Sequence, residues 1–245
     1  MAIVEDCRGL AARVQDELAR GSNYYDHAKI AWRLVQSLVA EGRSIDFADT
    51  STGDRTDGAT LARLVQGYVT GYLAESVFQH YVSLFEDYVF GLIGIWLMAY
   101  PESVSGLDDS ESDDKVAKGD KTVPLELIIG NPDRESILRA IVERELDRLK
   151  YKRLAVWFKY LETRARLGVP SRDQIDRLAE IKASRDILVH NRGIVTPTYI
   201  SKSMSKARYK EGERVEINEP YLIESWRLIN EVVHDTSKAA IAKLP

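Results

Sequence analysis

The residue types best suited to chemistry gather in one stretch, Lys182-Ala183-Ser184-Arg185-Asp186-Ile187-Leu188-Val189-His190-Asn191-Arg192-Gly193. A guanidinium at Arg185 can neutralise phosphate oxygens, and an imidazole at His190 can move protons, which together suit cleavage of a phosphodiester. On a straight helix, positions five apart point about 140° apart. Arg185 and His190 therefore converge only if the helix unwinds before His190, or if a second copy of the chain completes the site. Asp186 and His190 are four apart and hence neighbours on a helix surface, so the carboxylate could orient the imidazole and raise its pKa. A plainer role is open for each residue. Arg185 can pair with Asp186 or another acid inside a helix interface, and His190 can serve as a cation at the negative end of a helix dipole.

The residues after this stretch favour an anionic, base-bearing partner. From Lys182 to Arg214 there are eight basic residues (Lys182, Arg185, Arg192, Lys202, Lys206, Arg208, Lys210 and Arg214) against Asp186, Glu211 and Glu213, a local net charge of +5. Tyr199 and Tyr209 are interleaved with them, and Asn191 adds an amide. Such a strip can track a phosphate backbone while rings stack on unpaired bases. It can equally be a solvated loop with ordinary lysines. Lys182, Asn191, Arg192, Lys202, Lys206, Arg208, Tyr199 and Tyr209 are the candidate RNA contacts.

Other chemistries are excluded quickly. Lys118-Gly119-Asp120-Lys121-Thr122 lacks the glycine spacing of a phosphate-cradling loop, and no GxGxxG follows a strand. The four histidines (His27, His80, His190 and His234) are scattered, so no metal site is expected, and no cofactor is implied. His80, at the start of an apolar helix, reads as structural. The single cysteine, Cys7, rules out internal disulfides and thiolate metal sites and is a poor candidate nucleophile near the chain end. Glu86 and Asp87, adjacent on a helix, point about 100° apart and form no dyad; one solvated and one paired with a base is the expected arrangement.

The elements that must position these groups are helical. Apolar residues recur at spacings of three and four along most of the 245 residues, 44% of which are hydrophobic and 29% charged. Helices are predicted at about 3–20 and 24–41, divided at Gly21-Ser22-Asn23, and a polar loop at 42–60. A long pattern runs from 61 to 100, bent or broken near Gly67 and Gly71. Further helices are predicted from Asn131-Pro132-Asp133 to about Leu149, over 151–167, and from the capping box Ser171/Gln174 to about Asn191. A long, partly extended loop with β-favouring pieces at 198–200 and 214–217 should precede a closing helix over 221–244. The fold class is all-α, read as one domain with residues 1–60 as an N-terminal helical extension.

The net charge of −4 (34 Lys and Arg, 38 Asp and Glu) belongs to one segment. Pro101 to Thr122 holds seven acids and three lysines, and the rest of the chain balances at 31 against 31. This acidic segment cannot bury enough apolar surface to order itself and should be a mobile loop. The first 20 residues lack the apolar run of a signal peptide. The longest uncharged run, Tyr88 to Pro101, is shorter than the roughly 20 residues that cross a bilayer, so a cytoplasmic protein without a membrane partner is expected.

Three Arg–His pairs in the chain have four to six intervening residues: Arg20 with His27, Arg185 with His190, and Arg227 with His234. The first straddles the predicted helix break, and the third has an apolar residue after its Arg. Only Arg185–His190 joins a polar second position, apolar filling and a late-helix setting. This segment resembles the R-x4-6-H motif of HEPN domains, small all-helical modules many of which are ribonucleases. The surrounding IKASRDILVHNRGIV and the earlier FEDYVFGLIGIWLMAYPE are similar to uncharacterised bacterial members of that superfamily, and the resemblance covers about residues 74–243.

The resemblance implies an antiparallel helical bundle of HEPN type and a homodimer in which Arg and His of both protomers line one cleft. It further implies metal-independent endoribonuclease chemistry, the ribose 2′-OH attacking the adjacent phosphate to leave a cyclic phosphate. His190 would handle protons and Arg185 would stabilise phosphate charge. A toxin or phage-defence setting, with an antitoxin or defence-system partner protein, is implied by the family alone. Many active members carry Asn where this chain has Asp186, a negative charge beside the expected phosphate. The alternative is a non-catalytic helical module that binds RNA, nucleotide or a partner protein. A third reading is a sensor in which the acidic loop competes with RNA for the basic strip.

Overall fold

The computed structural model describes residues 2–43, 53, 57–104, 129–130 and 132–244. Most of the acidic loop, 105–122, lies outside the described residues, as does most of the predicted loop at 42–60. The chain is all-α: among the described residues β structure is limited to one isolated bridge, Ile194 with Arg214. The helices are α1 (Ala2–Ala40), α2 (Gly58–Gly67), α3 (Ala74–Ala99), α4 (Arg134–Lys150), α5 (Leu154–Ala165), α6 (Arg172–His190), α7 (Pro197–Lys202) and α8 (Glu219–Ile241). A π-helical segment, Tyr68–Leu73, joins α2 to α3, and Pro101–Val104 and Met204–Lys206 form 3-10 turns.

The expected break at Gly21-Ser22-Asn23 does not occur; α1 runs unbroken through it. Gly21 is there for contact instead, since a Cβ at this position would lie 2.9 Å from Cε1 of the buried Tyr81 ring. A glycine inside a helix costs about 1 kcal/mol against alanine, and close approach to a ring offsets that cost. Gly21→Ala is accordingly expected to destabilise the protein by about 1–2 kcal/mol net, read as a lower urea midpoint at unchanged slope. A raised midpoint would mean that the Tyr81 ring yields freely, leaving only the helix preference of alanine.

Two further element starts differ from expectation. Asp133, not Asn131, caps α4, its carboxylate accepting the Ser136 N–H at 2.8 Å. Asp57 caps α2 by accepting from Thr60 N at 2.7 Å, which starts that helix at Gly58 rather than Leu61. The weakening near Gly67 and Gly71 is real and takes the form of the π-helical segment.

The chain forms two compact units: Met1–Arg13, Glu86–Ile175 and Val232–Pro245 make up the first, Val14–Phe85 and Asp176–Glu231 the second. In the first, the buried Tyr88 hydroxyl bonds Thr236 and Ser237 hydroxyls at 2.7 and 2.6 Å. Trp157 donates its indole N–H to Leu149 O at 2.7 Å and meets Phe90 edge-on. Cys7 is fully buried, and burial pushes its thiol up, the opposite of what an attacking thiolate needs. Asp87 is exposed and Glu86 half-buried.

In the second unit, Leu18, Phe78, Tyr81, Leu178, Tyr199, Tyr221 and Ile229 form the core. Trp226 donates its indole N–H to Leu18 O at 3.1 Å, fixing α8 to α1. His80, expected to be structural, is exposed. Among the described residues one helical stretch, 63–99, is long and apolar enough to cross a membrane by length and composition; 44% of the qualifying window is buried in the protein, and a core helix meets the same criterion.

Candidate functional site

The candidate site is carried by α6. Ser171 and Gln174 form the predicted capping box, Ser171 N donating to Gln174 Oε1 at 2.8 Å and Gln174 N to Ser171 Oγ at 3.3 Å. α6 is buried on two sides, Leu178 and Ile181 on one and Glu180, Ala183, Ser184 and Ile187 on the other. The helix stays regular through His190, so within one chain Arg185 and His190 project about 140° apart. It then closes sharply: Asn191 N and Gly193 N both donate to Ile187 O, and Arg192 and Gly193 take φ of 53° and 78°. Left-handed geometry suits Gly193 but strains Arg192 by about 1 kcal/mol. Asn191 turns its amide inward to Ile194 O at 2.5 Å, which makes it a cap of this turn.

Asp186 is the hub of the polar side. Its Oδ1 accepts from Arg185 Nη1 at 3.2 Å, Lys182 Nζ lies 3.3 Å from both oxygens, and Lys202 Nζ of α7 reaches Oδ2 at 3.3 Å. The Lys182, Arg185 and Asp186 side chains are 17–18% exposed and Lys202 44%. None of these bonds goes to His190, which stands exposed on the last turn of α6. The expected Asp186–His190 pair is thus replaced by a carboxylate ringed by three cations. Three cations already surround the carboxylate, and the four-residue spacing favours Lys182 as much as His190.

The tyrosines depart from expectation most. Tyr199, a candidate for base stacking, is 1% exposed and donates its hydroxyl to Glu180 Oε1 at 2.8 Å. It belongs to the core and cannot stack on RNA. The piece 198–200 read as β-favouring is helix, because Thr196 caps and Pro197 opens α7, a start signal that outweighs the β-branched residues. Tyr209 is half-buried and tied at its hydroxyl, which donates to Glu216 O at 2.9 Å and accepts from Glu216 N at 3.1 Å. Arg208 lies 3.5 Å over the Tyr221 ring and 5.1 Å from that of Tyr209, its guanidinium plane engaged. Lys206 is half-buried at the end of its 3-10 turn, whereas Lys210 and Arg214 are exposed.

Sequence reasoning misses the buried cluster beneath the site. Glu180, 3% exposed, accepts from Ser184 Oγ at 2.7 Å and Tyr199 OH at 2.8 Å on Oε1, and from Tyr221 OH at 2.6 Å on Oε2. Burial and the Glu180 charge push the Tyr199 phenol up to about 12, and that of Tyr221 well up for the same two reasons. Through these bonds α6 holds α7 and the start of α8, and so fixes Lys202 near Asp186. A signal for the cluster does exist: Glu180 shares a face with Ala183, Ser184 and Ile187, all small or apolar. Among the described residues no three of His, Cys, Asp and Glu gather as metal ligands.

No protein-family model matches the chain, and no curated protein and no solved structure matches it.

Proposed function

We propose that the chain is a HEPN-type, metal-independent endoribonuclease acting as a homodimer, with Arg185 of one protomer and His190 of the other meeting at one scissile phosphate. The observation that carries this reading is the gathering of Lys182, Arg185 and Lys202 about one carboxylate, one turn before an exposed histidine. Two partly buried cations and the exposed Lys202 suit a phosphate, and an exposed imidazole at a helix end is accessible to a second copy. In this reading His190 removes the proton of the ribose 2′-OH while Arg185 offsets charge on the phosphorane oxygens. The products are a 2′,3′-cyclic phosphate and a 5′-hydroxyl end, so no metal-bound water is required. A toxin or defence role in the cytoplasm, with a protein partner that restrains the activity, accompanies this reading.

The test is incubation of the purified protein with single-stranded RNA in EDTA, with product ends analysed. Cleavage leaving cyclic phosphates is expected, and an absence of cleavage with intact fold would contradict the proposal.

A second reading, a non-catalytic RNA-binding module, draws on the Arg185–Asp186 bond, which already occupies the guanidinium. Both readings predict that Asp186→Asn tightens single-stranded RNA binding severalfold at low salt. The salt dependence should steepen by about 0.7 for each further phosphate neutralised. Filter binding across a salt series measures both; weaker binding would show that Asp186 itself contacts RNA. They part at turnover: the enzyme loses cleavage with His190→Ala, and the module has none to lose.

A further inference from the structure

Within the unit that holds the candidate site lies a cleft of about 600 Å³ bounded by α1, α2, the π-helical segment, the start of α3 and the chain from Arg214 to Glu219. Its apolar lining includes the buried Tyr25, Val65 and Ile217 together with Val69. Trp32, half-buried, lines it from α1. The π-helical segment contributes Gly71, where a Cβ would meet nothing within 4 Å, so the missing side chain leaves open space in the cleft. Such π-helical insertions concentrate at functional sites.

The charges in the cleft are unequal in their commitments. Lys29 is spent on Glu219, with which it forms an ion pair, and on the Tyr25 ring at 5.1 Å. Arg33 and Arg214, both exposed, have no acid partner among the described residues. Glu75 and Glu216 also line the cleft. This mixture suits neither a bare polyanion, which the carboxylates repel, nor a purely apolar ligand, which would strand the charges. It suits a ligand with a flat ring, N–H groups on that ring's edge for the carboxylates, and an attached anion for the guanidinia.

The position of the cleft points the same way. Arg214 pairs with Ile194 in the isolated bridge, Val215 N donates to Gly193 O at 2.8 Å, and a Cβ on Gly193 would sit 3.6 Å from Arg214 Cγ. A residue lining the cleft therefore packs against Gly193, three positions beyond His190. The cleft adjoins the end of α6.

We propose that this cleft is a nucleotide subsite, holding one unpaired base against Trp32 and the apolar lining, with its phosphate at Arg33 and Arg214. The ligand chemistry is that of a nucleoside phosphate, supplied either by a free nucleotide or by one unit of an RNA strand. The strand arm rests on the RNA reading of Arg185 and His190, and the free-nucleotide arm does not.

Tryptophan fluorescence of the full chain, excited at 295 nm, tests it with AMP, GMP, inorganic phosphate and a 2′-O-methyl octaribonucleotide, which resists cleavage by 2′-OH attack. AMP or GMP is expected to quench saturably, inorganic phosphate not to quench, and Trp32→Phe to abolish the change. Arg33→Ala and Arg214→Ala should each weaken binding about tenfold or more. An octamer bound about tenfold more tightly than AMP assigns the site to a strand, and equal affinities assign it to a free nucleotide. No quenching, or quenching of undiminished affinity in both arginine variants, overturns the proposal. A protein that binds nucleotide here yet cleaves no RNA keeps the cleft and loses the ribonuclease; the converse loses the cleft alone.

Discussion

Glu180→Ala is expected to lower the unfolding free energy by about 3–5 kcal/mol, a large share of a typical stability of about 5–15 kcal/mol. The carboxylate is the acceptor for two buried phenols and one buried hydroxyl. Its loss leaves Ser184, Tyr199 and Tyr221 with donors that water cannot reach, at about 1–3 kcal/mol each before relaxation. Removing both sides of the network should cost less than removing one. The triple variant Glu180→Met, Tyr199→Phe, Tyr221→Phe is therefore expected to recover much of the loss, because no phenol is then stranded. Denaturant unfolding of both variants measures this. A Glu180→Ala variant within about 0.5 kcal/mol of the native protein, a margin typical of surface substitutions, would show that the cluster does not hold the second unit together.

The same cluster sets an alkaline limit. Burial and the Glu180 charge raise the Tyr199 phenol in the folded state to about 12, above its ordinary 10. A raised folded pKa favours the protonated, neutral form in the native state. Its stabilising contribution is complete below pH 10, then falls as the unfolded chain releases its proton first, and is gone above about 12. Tyr81, pushed up to about 12 mainly by burial, acts in the same window and with the same sign. Stability measured from about pH 9 to 12 should fall, and less steeply in Tyr199→Phe.

The second large effect concerns catalysis. In the proposed ribonuclease, His190→Ala is expected to reduce the rate of RNA cleavage by about 10²–10⁴-fold, the usual contribution of a general acid–base group, while leaving folding intact, since His190 is exposed at the end of α6. RNA affinity should change little, because Lys182, Arg185 and Lys202, the cations proposed to meet the backbone, are untouched. A fall in kcat at near-constant KM is the expected signature. An equal loss of binding would place His190 among the contacts rather than in the chemistry.

Much of this framework is legible in the sequence, and the failures share a cause. The Ser171/Gln174 box, the end of α6 near Gly193, the bend at Gly67 and Gly71 and the closing helix follow from local rules of capping and glycine geometry, which need no partner. Gly21 misleads because a glycine that ends a helix and one that admits a ring look alike until Tyr81 is placed against it. Thr198 and Ile200 carry β preference, but the Thr196-Pro197 start and burial of Tyr199 decide for helix. Spacing matches Asp186 to His190, yet Lys202 arrives from another helix. The Trp32 cleft joins residues from 25 to 219 and leaves no contiguous trace.

A functional site that takes its arginine and its histidine from different copies of the chain can be rebuilt from two damaged ones. Arg185→Ala and His190→Ala proteins, each inactive alone, can be unfolded together, refolded as a mixture and assayed on single-stranded RNA in EDTA. Half of the dimers then pair one mutant with the other, each keeping one intact site of two, so about a quarter of native activity should return. A mixture as inactive as its components, with subunit exchange verified, would contradict the shared site.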